Sequence, residues 1–247
     1  MDNFSIDINC DLGEGLGNDA ALIPLISSCN IACGGHAGNI ETMSEVSRLA
    51  EQYNVRVGAH PSYPDRKNFG RVSMNIPESE LIKSIRKQMD DFMAILKKDK
   101  IKLHHIKPHG ALYNDIAKNT DLAKTFLKAI ADFKEEVLVY VPYKSVIEEK
   151  AFKDGFKIRH EAFADRNYNS DLSLVSRKID NAVIQEPRKV LNHLVGMVKD
   201  QTLTTLDGHK IQIQADTYCV HGDTPSALKI LKYLTQELPK QNIRIEK

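Results

Sequence analysis

Lys107 and His109 stand two residues apart in the segment "HHIKPHGALYN", residues 104–114, just ahead of a helical pattern. Pro108 rules out a continuous helix through the segment, so His105 and His109 cannot form the i, i+4 pair of a helical zinc site. In an extended chain His105, Lys107 and His109 share one face, the spacing that sends several side chains to one ligand. A lysine there is rarely buried without a charged partner. His104 and His105 are read as ordinary sheet residues. Similar groups recur along the chain: Asp11 and Glu14 in "NCDLGEG", His36 in "NIACGGHAGN", His60 in "GAHPSYPD", Glu161, Asp165 and Arg166 in "HEAFADRNY", and His221 and Asp223 in "CVHGD". Carboxylates and histidines of this kind suit proton transfer near neutral pH. The glycines around His36 would let backbone N–H groups approach an anion at a helix start. Taken singly, each has a plainer reading, such as a surface ion pair for Asp165–Arg166 or a simple turn for the glycines. Their recurrence at one end of successive strands is the stronger signal.

The elements that must position these residues alternate. Strand-like runs are "FSIDINC", "CNIACGGH", "VRVGAH", "KLHHIKPH", "EVLVYVP", "FKIRHEAFA" and "ADTYCVHGD". Apolar residues at helical spacing predict helices over 39–53, capped by Asn39, over 78–98 with Pro77 in its first turn, over 111–133 and over 224–237. The segment 202–214 alternates around Asp207-Gly208 and predicts a hairpin with a two-residue turn. Strands alternating with helices imply a parallel sheet. An open sheet gathers ligand groups at one switch point, whereas a barrel gathers them from all its strands at the C-terminal mouth. Polar groups at the ends of six of the seven strands, His160 among them, favour a single seven-stranded β/α (TIM-like) barrel over residues 1–247.

Composition narrows the function classes. Lys+Arg number 34 and Asp+Glu 33, so no basic stripe offers itself to nucleic acid or a membrane surface. No apolar run is long enough to span a bilayer, and the N-terminus has no signal-peptide pattern. Cys10, Cys29, Cys33 and Cys219 make no disulfide framework, and reduced thiols in a cytoplasm are expected. Cys29 and Cys33 lack the second close pair of a structural zinc site. No compact ligand motif accompanies the histidines, so no metal is expected. There is no phosphate-binding loop, no kinase-type glycine loop and no serine elbow.

The motifs "NCDLGEG", "NIACGGHAGN", "GAHPSYPD", "FGR", "KPHGALYN", "FADRNY" and "CVHGD" stand in the order expected of the LamB/YcsF family, which this chain resembles from about residue 7 to 223. Gly35 departs from the pattern, where a larger residue, often Phe, is expected. The resemblance implies a barrel of the glycoside hydrolase/deacetylase type. It also implies ATP-dependent hydrolysis of 5-oxo-L-proline to L-glutamate with PxpB- and PxpC-like partner subunits. ATP, with magnesium, would bind this chain or a partner, and self-association stays open. Within that reaction Asp11 is assigned as general base, and His109 or His60 as acid or as donor to the developing oxyanion. Lys107 and Arg166 would hold the substrate carboxylate or a phosphate. Glu14, His36, Glu161, Asp165, His221 and Asp223 would complete the substrate site. Two other readings remain: a metal-dependent deacetylase or amidohydrolase with Asp11, His60 and His109 as ligands, and a non-catalytic scaffold subunit.

Overall fold

A computed structural model describes residues 3–247. The elements run β1 Phe4–Leu12, α1 Asp19–Leu22, β2 Ser28–Ala32, α2 Ile40–Gln52, β3 Arg56–His60, α3 Glu78–Asp99, β4 Leu103–Ile106, α4 Gly110–Ile116 and α5 Thr120–Ala129. They continue with β5 Leu138–Pro142, α6 Val146–Lys153, β6 Lys157–Phe163, α7 Pro187–Lys199, β7 Thr202–Thr204, β8 Lys210–Gln212, β9 Thr217–Cys219, α8 Ala227–Glu237 and β10 Ile243–Ile245. Strands β1 to β6 and β9 pair in parallel, and β1 closes the ring by pairing with β9. The result is the seven-stranded barrel expected from the alternation. β10 adds itself in parallel to the first residues of β1, Phe4 to Ile6, at the end opposite the mouth.

The period-2 pattern of β1 divides its residues between two environments. Ile6, Ile8, Cys10 and Leu12 belong to the apolar layer between barrel and helices. Asp7, Asn9 and Asp11 are buried too, but their partners are polar groups inside the ring: Ser28 and Thr217 of the adjacent strands for Asp7, Glu161 for Asn9, and Lys107 for Asp11. The interior is therefore polar, unlike the branched apolar layers that commonly fill such barrels. In β4 the pairing register shifts, with Leu103 opposite Val57 but His105 opposite Gly58. This bulge at His104 resets the alternation so that His105 and Lys107 both reach inward. Gly58 is required there, because a Cβ would overlap the His105 ring.

The helices cover the barrel through their apolar faces. Leu81, Ile85, Met89, Phe92 and Leu96 of α3 are buried along one stripe. Asn39 caps α2 by accepting from the Thr42 N–H, as the sequence suggests. Several details differ from the sequence-based expectation. Pro77 stands just before α3, with extended backbone, not within its first turn. The helix expected over 111–133 is two helices, because extended Asn119 ends one run and caps the next through Asp121 and Leu122. Helices α1, α6 and α7 and strand β10 add to the elements expected from the sequence. The hairpin turn is the longer segment Thr205–His209, closed by Thr205 N–H to His209 O at 2.9 Å. His160 lies mid-strand and turns outward to Glu148 of α6 at 2.8 Å, so it takes no part in the mouth.

Candidate active site

Lys107 follows β4 and reaches into the barrel. Its Nζ lies 3.0 Å from Asp11 Oδ1, 2.8 Å from Glu161 Oε1, 3.2 Å from Asn9 Oδ1 and 3.1 Å from Cys219 Sγ. It is only 2% exposed, and a buried ammonium persists only when paired this closely. Burial works against the charge, but Asp11, Cys219 and Glu161 outweigh it and hold the ammonium well above the usual lysine range. Conversely, burial pushes the Asp11 carboxyl up, while Lys107 and then His60 draw it well below the usual carboxylate range. Asn30 fixes the same carboxylate, donating to Oδ1 at 2.8 Å. Asp11 Oδ2, on the other side, faces His60 Nε2 at 3.5 Å.

Above this pair the loops after β1, β2 and β4 and the end of β3 bring four groups together. His36 Nε2 is 3.0 Å from Glu14 Oε1, and His109 Nδ1 is 3.5 Å from the same oxygen. His109 Nδ1 is 2.9 Å from His60 Nε2. The rings of His36 and His109 stack with centroids 3.6 Å apart, edged by Phe69. Burial, then the nearby His60, pushes His36 down to about 2. Burial, then His36, puts His109 well below its ordinary value. Burial and Asp11 push the Glu14 carboxyl well above its own. A second candidate ligand set, Asp11, Cys219 and His221, also converges. It is poorly suited to a metal, because burial pushes the Cys219 thiol up and Lys107 Nζ already contacts its sulfur.

On the far side of the mouth Asp165 accepts from His221 Nδ1 at 2.8 Å, from the His221 backbone N–H at 3.1 Å and from Thr224 Oγ1 at 2.8 Å. A buried carboxylate so bonded fixes the ring's tautomer and leaves the other nitrogen for chemistry. The rim is basic. Asp223 pairs with Arg71 and, at 3.4 Å, with Arg177. Arg166 donates from Nε to Ala182 O and from Nη2 to Val175 O, so it staples the loop that carries Arg177 and Lys178. Burial, then Arg177, lowers it to about 10. Between these groups lies a cavity of about 560 Å³, lined by Asp11, His60, Lys107, His109, Arg166 and His221 among others. A larger depression, about 770 Å³, lies between α7 and the β7–β8 hairpin. Its lining is mostly amide, hydroxyl and apolar side chains around His193, which burial pushes down to about 4. The chemistry therefore belongs to the mouth.

All eleven residues singled out from the sequence lie at this end of the barrel, in different settings. Asp11, His60, Lys107, His109, Arg166 and His221 line the cavity; Glu14 and His36 complete the histidine cluster. Glu161 sits beneath Lys107, Asp165 behind His221, and Asp223 at the rim. Lys107 and Arg166 are struts rather than free clamps, and Asp165 pairs with His221 rather than with its neighbour Arg166. His105 is not an ordinary sheet residue: it stacks on Tyr140 inside the barrel and meets Asn30 at 2.6 Å. Sequence reasoning passes over Asn9 and Asn30, whose alternation with Asp11 and with apolar neighbours is a usable signal. It also leaves Arg71 of "FGR" without a role. Arg177 carries no signal, being an arginine in an irregular loop.

The LamB/YcsF family model matches residues 6–247. The chain is 40% identical over 249 residues to the A-type subunit of 5-oxoprolinase from Staphylococcus carnosus, covering 99% of each chain. It is 41% identical over 247 residues to the A-type subunit of 5-oxoprolinase from Thermococcus sibiricus, covering 98% of this chain and 97% of that one. The crystal structure of a lactam utilization protein from Thermus thermophilus superposes with a TM-score of 0.91 at 32% identity, over 98% of this chain and 99% of that chain. The T48 deacetylase shares the fold alone, with a TM-score of 0.50 at 11% identity. With the family model matched over nearly its whole length, relatives about 40% identical and the same barrel in a lactam utilization protein, this chain belongs to the LamB/YcsF family.

Proposed function

We propose that this chain is the ring-opening subunit of an ATP-dependent 5-oxoprolinase, hydrolysing 5-oxo-L-proline to L-glutamate. The observation that carries the reading is Asp11. It is a buried carboxylate held ionised by Lys107, with Oδ1 tied down and Oδ2 beside His60, and it lines a cavity that suits a small ring. Relatives about 40% identical over their whole length bear the name of the A-type 5-oxoprolinase subunit.

An unactivated lactam resists water because its carbonyl is a poor electrophile and its amine a poor leaving group. Asp11 Oδ2 takes a proton from water as the water oxygen bonds to the lactam carbonyl carbon. The carbon–nitrogen bond then breaks, and the ring nitrogen takes up a proton. His221, oriented by Asp165, is better placed to supply it than His60 or His109, which face each other. Positioned acid and base groups of this kind typically contribute about 10²–10⁴-fold each. Arg71 and Arg177 at the rim offer positive charge to the substrate carboxylate or to a phosphate.

Phosphoryl transfer from ATP, with magnesium, to the amide oxygen is assigned to PxpB- and PxpC-like partners contacting the mouth. Breaking the carbon–nitrogen bond then leaves an acyl phosphate, which a second water hydrolyses to the glutamate carboxylate and inorganic phosphate. A phosphoryl-transfer site needs a cradle of N–H groups with a free lysine, and Lys107 is committed to Asp11 and Glu161. A cytoplasmic setting suits the four buried, free cysteines, and among the described residues no helix is long and apolar enough to cross a membrane. The test is glutamate release from 5-oxoproline and ATP, by this chain alone and then with the partners. Release only in the complete assembly is expected; ATP-dependent release by the chain alone would overturn the division of labour.

A further inference from the structure

We propose that Glu14, His60 and His109 form a site for a divalent transition-metal ion at the barrel mouth, with His36 holding Glu14 in place. The inference goes beyond the ring-opening reading and does not depend on it. It begins with proton positions. His60 Nδ1 lies 2.7 Å from Lys107 O, and His109 Nε2 lies 2.9 Å from Phe69 O. A carbonyl oxygen only accepts, so each of these nitrogens carries the hydrogen. In neutral rings the lone pairs then fall on His60 Nε2 and His109 Nδ1. These two nitrogens face each other at 2.9 Å, both buried, with Glu14 Oε1 3.5 Å from His109 Nδ1. Facing lone pairs repel unless a cation lies between or beside them.

The surroundings match a metal ion. A metal-ligating histidine almost always donates its other N–H to a carbonyl or carboxylate, which sets tautomer and ring orientation. Both rings do so here. Tetrahedral bonds of about 2.0–2.1 Å set ligand atoms roughly 3.3 Å apart. The separations between ligand atoms, 2.9 Å from His60 to His109 and 3.5 Å from Glu14 to His109, bracket that spacing. Two imidazoles and a carboxylate suit zinc or cobalt better than magnesium or calcium, which prefer all-oxygen sites. His36 bonds Glu14 through Nε2, while its Nδ1 is buried without a partner. That makes it a weaker candidate as a direct ligand than as the group orienting Glu14. The ligands come from the ends of separate strands, so no linear motif announces them. A bound ion would place positive charge beside Asp11, where it could polarise water or a carbonyl oxygen.

The test uses the full chain, stripped with a chelator and titrated with zinc and then cobalt against a chromophoric competitor. Elemental analysis gives the stoichiometry. One equivalent bound at micromolar affinity or tighter is expected, with a cobalt spectrum of nitrogen and oxygen ligation. His60→Gln and His109→Gln should each abolish that binding, and His36→Gln should weaken it by about 10- to 100-fold. Should a variant fail to fold, imidazole NMR of the wild type on adding zinc gives the same answer through shifts at His60 and His109. Only millimolar binding by folded, stripped protein would overturn the proposal. So would one equivalent retained unchanged in both variants, which would place the ion elsewhere.

Discussion

Lys107→Met keeps the length and apolar stem of the side chain and removes its charge. Asp11 and Glu161, now 3.0 and 2.8 Å from the ammonium, would lose their shared cation inside the barrel. Breaking a buried ion pair by removing one partner costs about 3–5 kcal/mol, because the remaining charge stays desolvated. For a chain of this size each kcal/mol moves the melting temperature by roughly 2–4 °C, so a fall of roughly 6–20 °C follows. Lys128→Met is the control. That lysine pairs with Glu78 at 3.0 Å with both side chains more than half exposed, and such pairs contribute about 0–1 kcal/mol. Adding Glu161→Gln to Lys107→Met removes one of the two stranded charges. The double variant should regain stability, with a coupling of about 1 kcal/mol or more by urea unfolding. The reasoning fails if Lys107→Met costs no more than Lys128→Met, or if Glu161→Gln makes it worse.

Asp11→Asn should lower glutamate release by the complete assembly about 10²–10⁴-fold while circular dichroism stays unchanged; near-normal turnover would mean another base. Gly58→Ala sets a methyl group against the His105 ring and should cost about 1–3 kcal/mol in chemical unfolding. Burial pushes the Asp165 carboxyl up, but His221 and further hydrogen bonds leave it below the usual range. Its share of stability is therefore whole above the unfolded value of about 4 and is lost as pH falls through the lower folded value. Asp165→Asn should accordingly lose less stability between pH 6 and pH 3 than the wild type, measured by urea midpoints.

Much of the fold is legible because β1 and α3 carry their burial in their spacing. Phe4, Ile6, Ile8 and Cys10 announce a strand, and Leu81, Ile85, Met89 and Phe92 a helix face. Less legible is which way the polar half of a strand turns. In β4 that depends on the bulge at His104, set by pairing with β3 and invisible in β4 alone. Helix α7 does carry a signal that the sequence reading leaves unused, with Pro187 at its start and Val190, Leu191, Leu194 and Met197 on one face. β10 is three residues long, too short for periodicity to register. The site residues can be gathered at one mouth from strand-end placement, but not their pairings. That His221 takes Asp165, while His60 meets His109, follows from loops crossing between strands. The Gly35 departure also has a local cause. Gln88 of α3 lies where a Cβ would sit, bonding both Ser62 N–H and Ser62 O, so a larger residue would have to displace it.

The pairing of β10 with the start of β1 bears on how this chain can be joined to other proteins. Phe4 and Ile245 both lie at the floor of the barrel, where Arg56 bonds Glu246 and the Lys247 ammonium bonds the carbonyls of Pro24 and Ile26. β1 spans nine residues from that floor to the mouth, about 30 Å at the usual rise of a strand. A covalent tether from either end to a protein seated over the mouth must cover that height outside the helices. It therefore needs more than about nine extended residues before it begins to reach. A tag at either end, by contrast, leaves the mouth uncovered. One placed after Lys247 would test how much the floor contacts matter to the closed ring.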